Sequence, residues 1–146
     1  MKQTKQSILL RIASALTLIF FAGHTYRALD PSSRGPEEAA VFMAMQAYPF
    51  NVMGFRRTHW DFYRGFSLLF SVALLVLALL LWQIGGIAKS DPARARPLIA
   101  TLFAGYLGIT LLCGIYFFTA PAVVSAAATI CLALAVVAPG PGSGVR

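Results

Sequence analysis

Two stretches without a single charged side chain constrain this chain more than any other feature. Gly65 to Ala88 is 24 residues long and Pro97 to Ala138 is 42. One helical crossing of a bilayer takes about 20 apolar residues, and backbone amides in hydrocarbon must find their hydrogen bonds within the fold. The first stretch therefore supplies one crossing and the second supplies two. Both runs are continuously apolar, without the two-residue alternation of barrel strands, so the expected fold class is an all-α transmembrane bundle. Composition points the same way: 12% of the 146 residues are charged and 58% are hydrophobic. The mean hydropathy is +0.73, whereas a soluble domain carries about 25% charged residues. A soluble enzyme, a nucleic-acid-binding module and a disulfide-stapled secreted domain do not fit.

A further apolar run, Ile8–Leu29, supplies another crossing, with Arg11 near enough to its end for the side chain to reach the headgroups. A cleaved signal peptide is the rival reading of this run. Arg11 interrupts its apolar region, however, and no clear small-x-small cleavage site follows. Pro121 divides the longest stretch, because proline suits the start of a helix and disrupts its interior. Four helices are expected, at about 8–29, 64–87, 97–118 and 121–138, in one membrane domain over residues 1–138. The Pro- and Gly-rich tail, 139–146, has nothing to bury and is expected to be disordered.

Lys2, Lys5, Arg11, Lys89, Arg94, Arg96 and Arg146 fall on one side of this arrangement, mostly in short segments. Positive residues in short loops mark the cytoplasmic side. Both termini are accordingly expected in the cytoplasm of a bacterial inner membrane, with the loop 30–63 outside. The net charge of +7 reads as a topogenic and lipid-facing signal. The expected partners are membrane lipids and not nucleic acid.

The outer loop is long enough to carry function. Pro36-Glu-Glu38 opens a short interfacial helix that should stop before Pro49, with Val41, Phe42 and Met45 on its apolar side. Phe50, Val52, Met53 and Phe55, followed by Arg56 and Arg57, suit a segment on the membrane surface or folded over the bundle.

The most polar constellation lies where this loop meets the helices. Ser14, Thr17, Phe21 and His24 share one helical face, and Trp60, Arg64, Ser67 and Ser71 share another. His24 and Arg27 end the first crossing, while His59, Asp61 and Arg64 open the second, so topology gives them a common depth. They could line an outward-facing pocket, with Arg27 and Arg64 as donors, His24 and His59 as hydrogen-bonding partners, and Trp60 and Tyr63 as walls. A structural reading covers much of the same motif. Thr58-His-Trp-Asp61 matches a capping box, Asp61 and Arg64 form an i,i+3 pair, and Trp60, Tyr63 and Tyr26 suit an interfacial aromatic belt.

His24 and His59 alone are a weak haem or metal pair, and Cys113 with Cys131 reads as packing in the last two helices. No cofactor and no catalytic residue is expected. Thr101, Gly105, Gly108 and Gly114 in the third helix, with Ala122, Ser125, Ala126, Ala128 and Thr129 in the fourth, suit close backbone approach. Packing within one chain is the simplest use of that surface; a homodimer or a larger complex is the alternative.

The His-bearing first helix, the long outer loop and Trp60-Asp-x-Tyr-x-Gly-Phe-Ser67 resemble small four-helix bacterial membrane proteins, and the architecture is similar to that of DoxX-like proteins. The resemblance implies a fold and no activity. The leading expectation is a non-enzymatic membrane protein with an outer-face pocket for a lipid- or quinone-like amphiphile. An accessory subunit of a larger complex and a histidine-dependent membrane enzyme are the alternatives.

Overall fold

Charge-free length becomes helix, and the polar residues decide where each helix begins. The computed structural model describes residues 4–30 and 32–138; the expected disordered tail, 139–146, lies outside them. The elements run α1 (Lys5–Leu29), α2 (Pro36–Ala47), β1 (Pro49–Val52), β2 (Phe55–Thr58), α3 (His59–Ser90), α4 (Pro92–Tyr116) and α5 (Thr119–Val137). The four helices α1, α3, α4 and α5 are long and apolar enough to cross a membrane. The chain is an all-α, multi-pass membrane protein.

Several boundaries differ from the expected ones, each for a local reason. α3 begins at His59 rather than near Arg64, because the Thr58–Asp61 capping box closes its first turn. Its 32 residues reach about 48 Å at 1.5 Å per residue. α4 begins at Pro92 rather than Pro97: Asp91 Oδ1 accepts the Arg94 amide at 3.0 Å and Pro92 takes the first helical position. Pro97 is thus inside the helix. α4 closes when the Phe117 amide donates to the Cys113 carbonyl, and Pro121 is the third residue of α5 rather than its first.

The loop holds the short helix α2, which stops ahead of Pro49. Val41 is 57% exposed, however, and the inward positions are Glu38, Ala39, Phe42 and Met45. The stretch expected to lie on the membrane surface or fold over the bundle forms an antiparallel hairpin, with Phe50 opposite Arg57 and Val52 opposite Phe55. Met53 (φ 49°) and Gly54 (φ 87°) make its two-residue turn, both left-handed as a type I′ turn requires.

Contacts divide the chain into two compact units, and α1 and α3 run through both. The first contains residues up to Phe21 and from Leu74 onward. Its core combines Leu10 and Ala13 of α1, Leu81 and Ala88 of α3, Ile99 and Tyr106 of α4, and Ala128 and Leu132 of α5. Buried hydroxyls cross-link the same helices. Ser14 Oγ donates to the Ala78 carbonyl at 2.8 Å. Thr17 Oγ1 donates to the Ala13 carbonyl at 2.7 Å and accepts from the Tyr106 hydroxyl at 2.6 Å. Thr110 and Thr129 meet at 2.9 Å between α4 and α5. Arg11 lies 4.1 Å over the Trp82 ring, a cation–π contact. Cys113 and Cys131 are free thiols.

The glycines correct one expectation. A Cβ on Gly105, Gly108 or Gly114 would meet nothing within 4 Å, so these residues do not mediate packing within the chain. The close approach is at Gly85, where a Cβ would lie 3.5 Å from Leu10 Cβ and 3.6 Å from the Ser7 carbonyl. Gly85→Ala should therefore be tolerated, while Gly85→Ile should lower unfolding stability in detergent by about 1–3 kcal/mol through overpacking. Gly105→Ile, as the control, should change it by less than about 0.5 kcal/mol.

Candidate functional site

The second unit, Ala22–Ala73, contains the end of α1, α2, the hairpin and the start of α3. All seven residues singled out from the sequence lie in it; six of them fall into three settings, and Arg64 stands apart.

The first joins α1 to α3. His24 Nε2 donates to the Ser67 carbonyl at 2.9 Å, which fixes the proton on that nitrogen, and the ring meets Phe70 edge-on at 5.0 Å. Ser71 Oγ donates to the same carbonyl at 3.2 Å. α1 and α3 are successive crossings and run in opposite directions. Arg27, one turn beyond His24, and Arg64, one turn before Ser67, therefore lie at a common level.

The second setting holds α2 in place. Arg27 Nη2 reaches Glu38 Oε1 at 3.1 Å, and Nη1 donates to the Asp30 carbonyl. The other Glu38 oxygen accepts the Arg34 amide ahead of α2. That amide, with the Arg27 and Arg34 charges, holds the Glu38 carboxyl below its ordinary pKa. Hydrogen bonds from Ser32 do the same for Asp30. Arg27 is thus a fastening for α2 and is not free to meet a ligand.

The third setting is aromatic. His59 stacks on Tyr48 at 6.2 Å and lies 4.9 Å from Phe50. Trp60 packs on Phe42 of α2 at 4.7 Å and on Tyr63 at 5.5 Å. Asp61 is occupied by the cap: its Oδ2 accepts the Thr58 amide at 2.8 Å and the Thr58 hydroxyl at 3.1 Å. The expected Asp61–Arg64 ion pair does not form, because that carboxylate turns back toward Thr58.

Arg64 is left. It is half-buried, and its guanidinium has no hydrogen bond or ion pair among the described residues. The Thr25 hydroxyl, sealed from solvent, also finds no partner among them. Sequence reasoning passed over Thr25 and read Glu38 and Phe42 only as features of the short helix, not of the site. Only the acids at the start of α2 gave any signal for Glu38, and nothing in the sequence says which cation it meets. Among the described residues no cluster of three or more His, Cys, Asp or Glu side chains is placed to hold a metal.

Because the folded-state pKa of Glu38 is depressed, its contribution is present above the ordinary value of 4.5 and is lost as pH falls through the lowered one. Trp60 fluorescence, measured in a Trp82→Phe background, should stay constant from neutral pH down to that region and change below it. Glu38→Gln should show the acid-type signal already at neutral pH.

No family model, curated protein or solved structure matches this chain, and the functional reading rests on its residues.

Proposed function

We propose that this multi-pass protein is non-enzymatic and holds a lipid- or quinone-like amphiphile at the loop-side ends of α1 and α3. The membrane in this reading is a bacterial inner membrane, with both termini in the cytoplasm. One observation carries it: Arg64 is a half-buried cation with no acid to meet it among the described residues. A charge removed from water without a partner is costly, and an ionisable group in a membrane-spanning helix marks a site by default. A ligand oxygen would supply the missing acceptor. The Thr25 hydroxyl offers a second unsatisfied polar atom in the same unit. Phe42, Trp60 and Tyr63 supply aromatic surface for an apolar body. His24 positions α1 against α3, and Arg27 keeps α2 attached.

Native mass spectrometry of the protein released from mild detergent should find a stoichiometric adduct. Arg64→Ala should weaken its binding about tenfold or more, the worth of one charge-assisted hydrogen bond. A bare chain, or an adduct indifferent to Arg64→Ala, would overturn this reading.

A second reading, an accessory subunit of a larger complex, is favoured by the outward exposure of Thr101, Ala104 and Gly105 on α4. Small residues at such a face let a partner helix approach closely in lipid. Gly105→Leu with Gly108→Leu should then abolish a co-purifying complex while leaving the isolated chain's stability unchanged.

A further inference from the structure

α3 presents two different faces at its loop-side end. Trp60, Arg64 and Ser67 share one; Asp61, Phe62, Gly65, Phe66 and Leu69 share the other, on roughly the opposite side of the helix. Arg57 and this second face line a groove of about 340 Å³. Gly65 forms its floor, where a Cβ would meet nothing within 4 Å. Phe62 and Phe66, 6.1 Å apart, form an apolar wall, and Phe50 of the hairpin stacks on Phe62 at 5.8 Å. Strand pairing sets Phe50 opposite Arg57, so the hairpin brings a cation to one end of this wall.

Arg57 is exposed and makes no ion pair among the described residues, although its charge acts on the nearby Asp61 carboxylate. Its guanidinium donates to the Arg56 carbonyl at 3.0 Å and lies 5.5 Å from the Phe55 ring. Asp61, at the same end of the groove, directs its carboxylate to Thr58. Among the described residues the one ion pair is Arg27–Glu38. From Gly65 onward α3 has no charge for 24 residues. The groove therefore has its polar groups at the loop-side end, where Arg57 stands with an Asp61 carboxylate turned to Thr58, and hydrocarbon-like walls along the span, the polarity order of a lipid in one leaflet.

We infer that the groove binds an anionic glycerophospholipid from the surrounding bilayer. Its phosphate accepts hydrogen bonds from Arg57, and an acyl chain lies along Phe62, Gly65, Phe66 and Leu69. A free anion would use Arg57 alone and leave the apolar wall unexplained. This site is separate from the one proposed around Arg64, and variants of the two arginines tell them apart.

The test reconstitutes the full chain in vesicles of equal parts phosphatidylglycerol and phosphatidylethanolamine. Retained lipids are then counted by native mass spectrometry after release in mild detergent. Phosphatidylglycerol should be enriched over phosphatidylethanolamine. Arg57→Gln should reduce that enrichment about fivefold, the worth of one arginine at an anionic surface, and Arg57→Lys should restore most of it. Gly65→Leu, which fills the floor and leaves the charge, should lower retention of both lipids. The loss caused by Arg57→Gln should be as large in an Arg64→Gln background as in the unchanged chain, whatever Arg64→Gln does at its own site. Equal retention of the two lipids, enrichment indifferent to Arg57→Gln, or an effect of Arg57→Gln that vanishes in the Arg64→Gln background would each overturn the inference. Displacement of the phospholipid by inorganic phosphate would reassign Arg57 to a soluble anion and overturn it as well.

Discussion

A helix leaves its last four carbonyls without partners, and near hydrocarbon there is little water to satisfy them. In this protein the first turns of α1 meet much of that requirement. The Thr4 hydroxyl accepts the Ser7 amide at 3.1 Å, capping α1 itself, and donates to the Ala88 carbonyl near the end of α3 at 3.0 Å. Gln6, almost wholly buried, donates through Nε2 to the Ala135 carbonyl of α5 at 3.0 Å. Arg96 of α4 adds a bond to the Ala138 carbonyl just beyond α5 at 3.0 Å. One segment thus closes two other helices, and the core of Leu10, Leu81 and Leu132 packs within the frame those bonds create. Ser14 and Thr17 continue the same use of α1, returning hydroxyl protons to backbone carbonyls in the membrane interior.

The charged residues of the second unit obey a related rule, which makes the exceptions informative. Asp61 serves a cap, Glu38 joins Arg27 to the start of α2, and Asp30 turns the backbone at Ser32. Every acid with a resolved contact there is committed to local structure. Arg64 on α3 and Arg57 on β2 have no such ion pair, and Arg57 lies against the face of α3 opposite to that of Arg64. Excess cation at the loop-side end of a membrane span is an electrostatic imbalance that lipid headgroups or an acidic ligand can relieve.

The fold was legible wherever length and hydropathy alone decide it, because a charge-free run of 24 residues in a bilayer has few alternatives to helix. Thr58-His-Trp-Asp61 also announced its capping box, since the whole motif is local. Asp91-Pro92 carried an equally local signal for the start of α4, but Pro97 drew the boundary forward because an interior proline is costly. The hairpin was hidden for a different reason: Met53-Gly54 lacks the Asn-Gly or Asp-Gly signature of its turn type. For the candidate site, topology placed His24, Arg27, His59 and Arg64 in one region, but not their partners. Whether Arg27 meets Glu38 or a ligand depends on how α2 lies against α1, and no spacing within the chain encodes that. The same limit applies to Gly105 and Gly108, whose spacing suits helix packing but whose outward direction only tertiary structure reveals.

The spans differ in length, and this gives the membrane leverage over the loop-side end of α3. With 19 residues, α5 covers about 28 Å, close to the hydrocarbon thickness of an average bilayer. The charge-free part of α3 alone covers about 36 Å. Such a mismatch is relieved by tilting the longer helix or by thickening the bilayer around it. Tilt carries the first turn of α3 toward the interface, and thickening keeps it in the headgroup layer. Arg64 and Arg57 consequently experience a dielectric set by the width of the host membrane, so the strength of any charge interaction they make becomes a function of bilayer thickness.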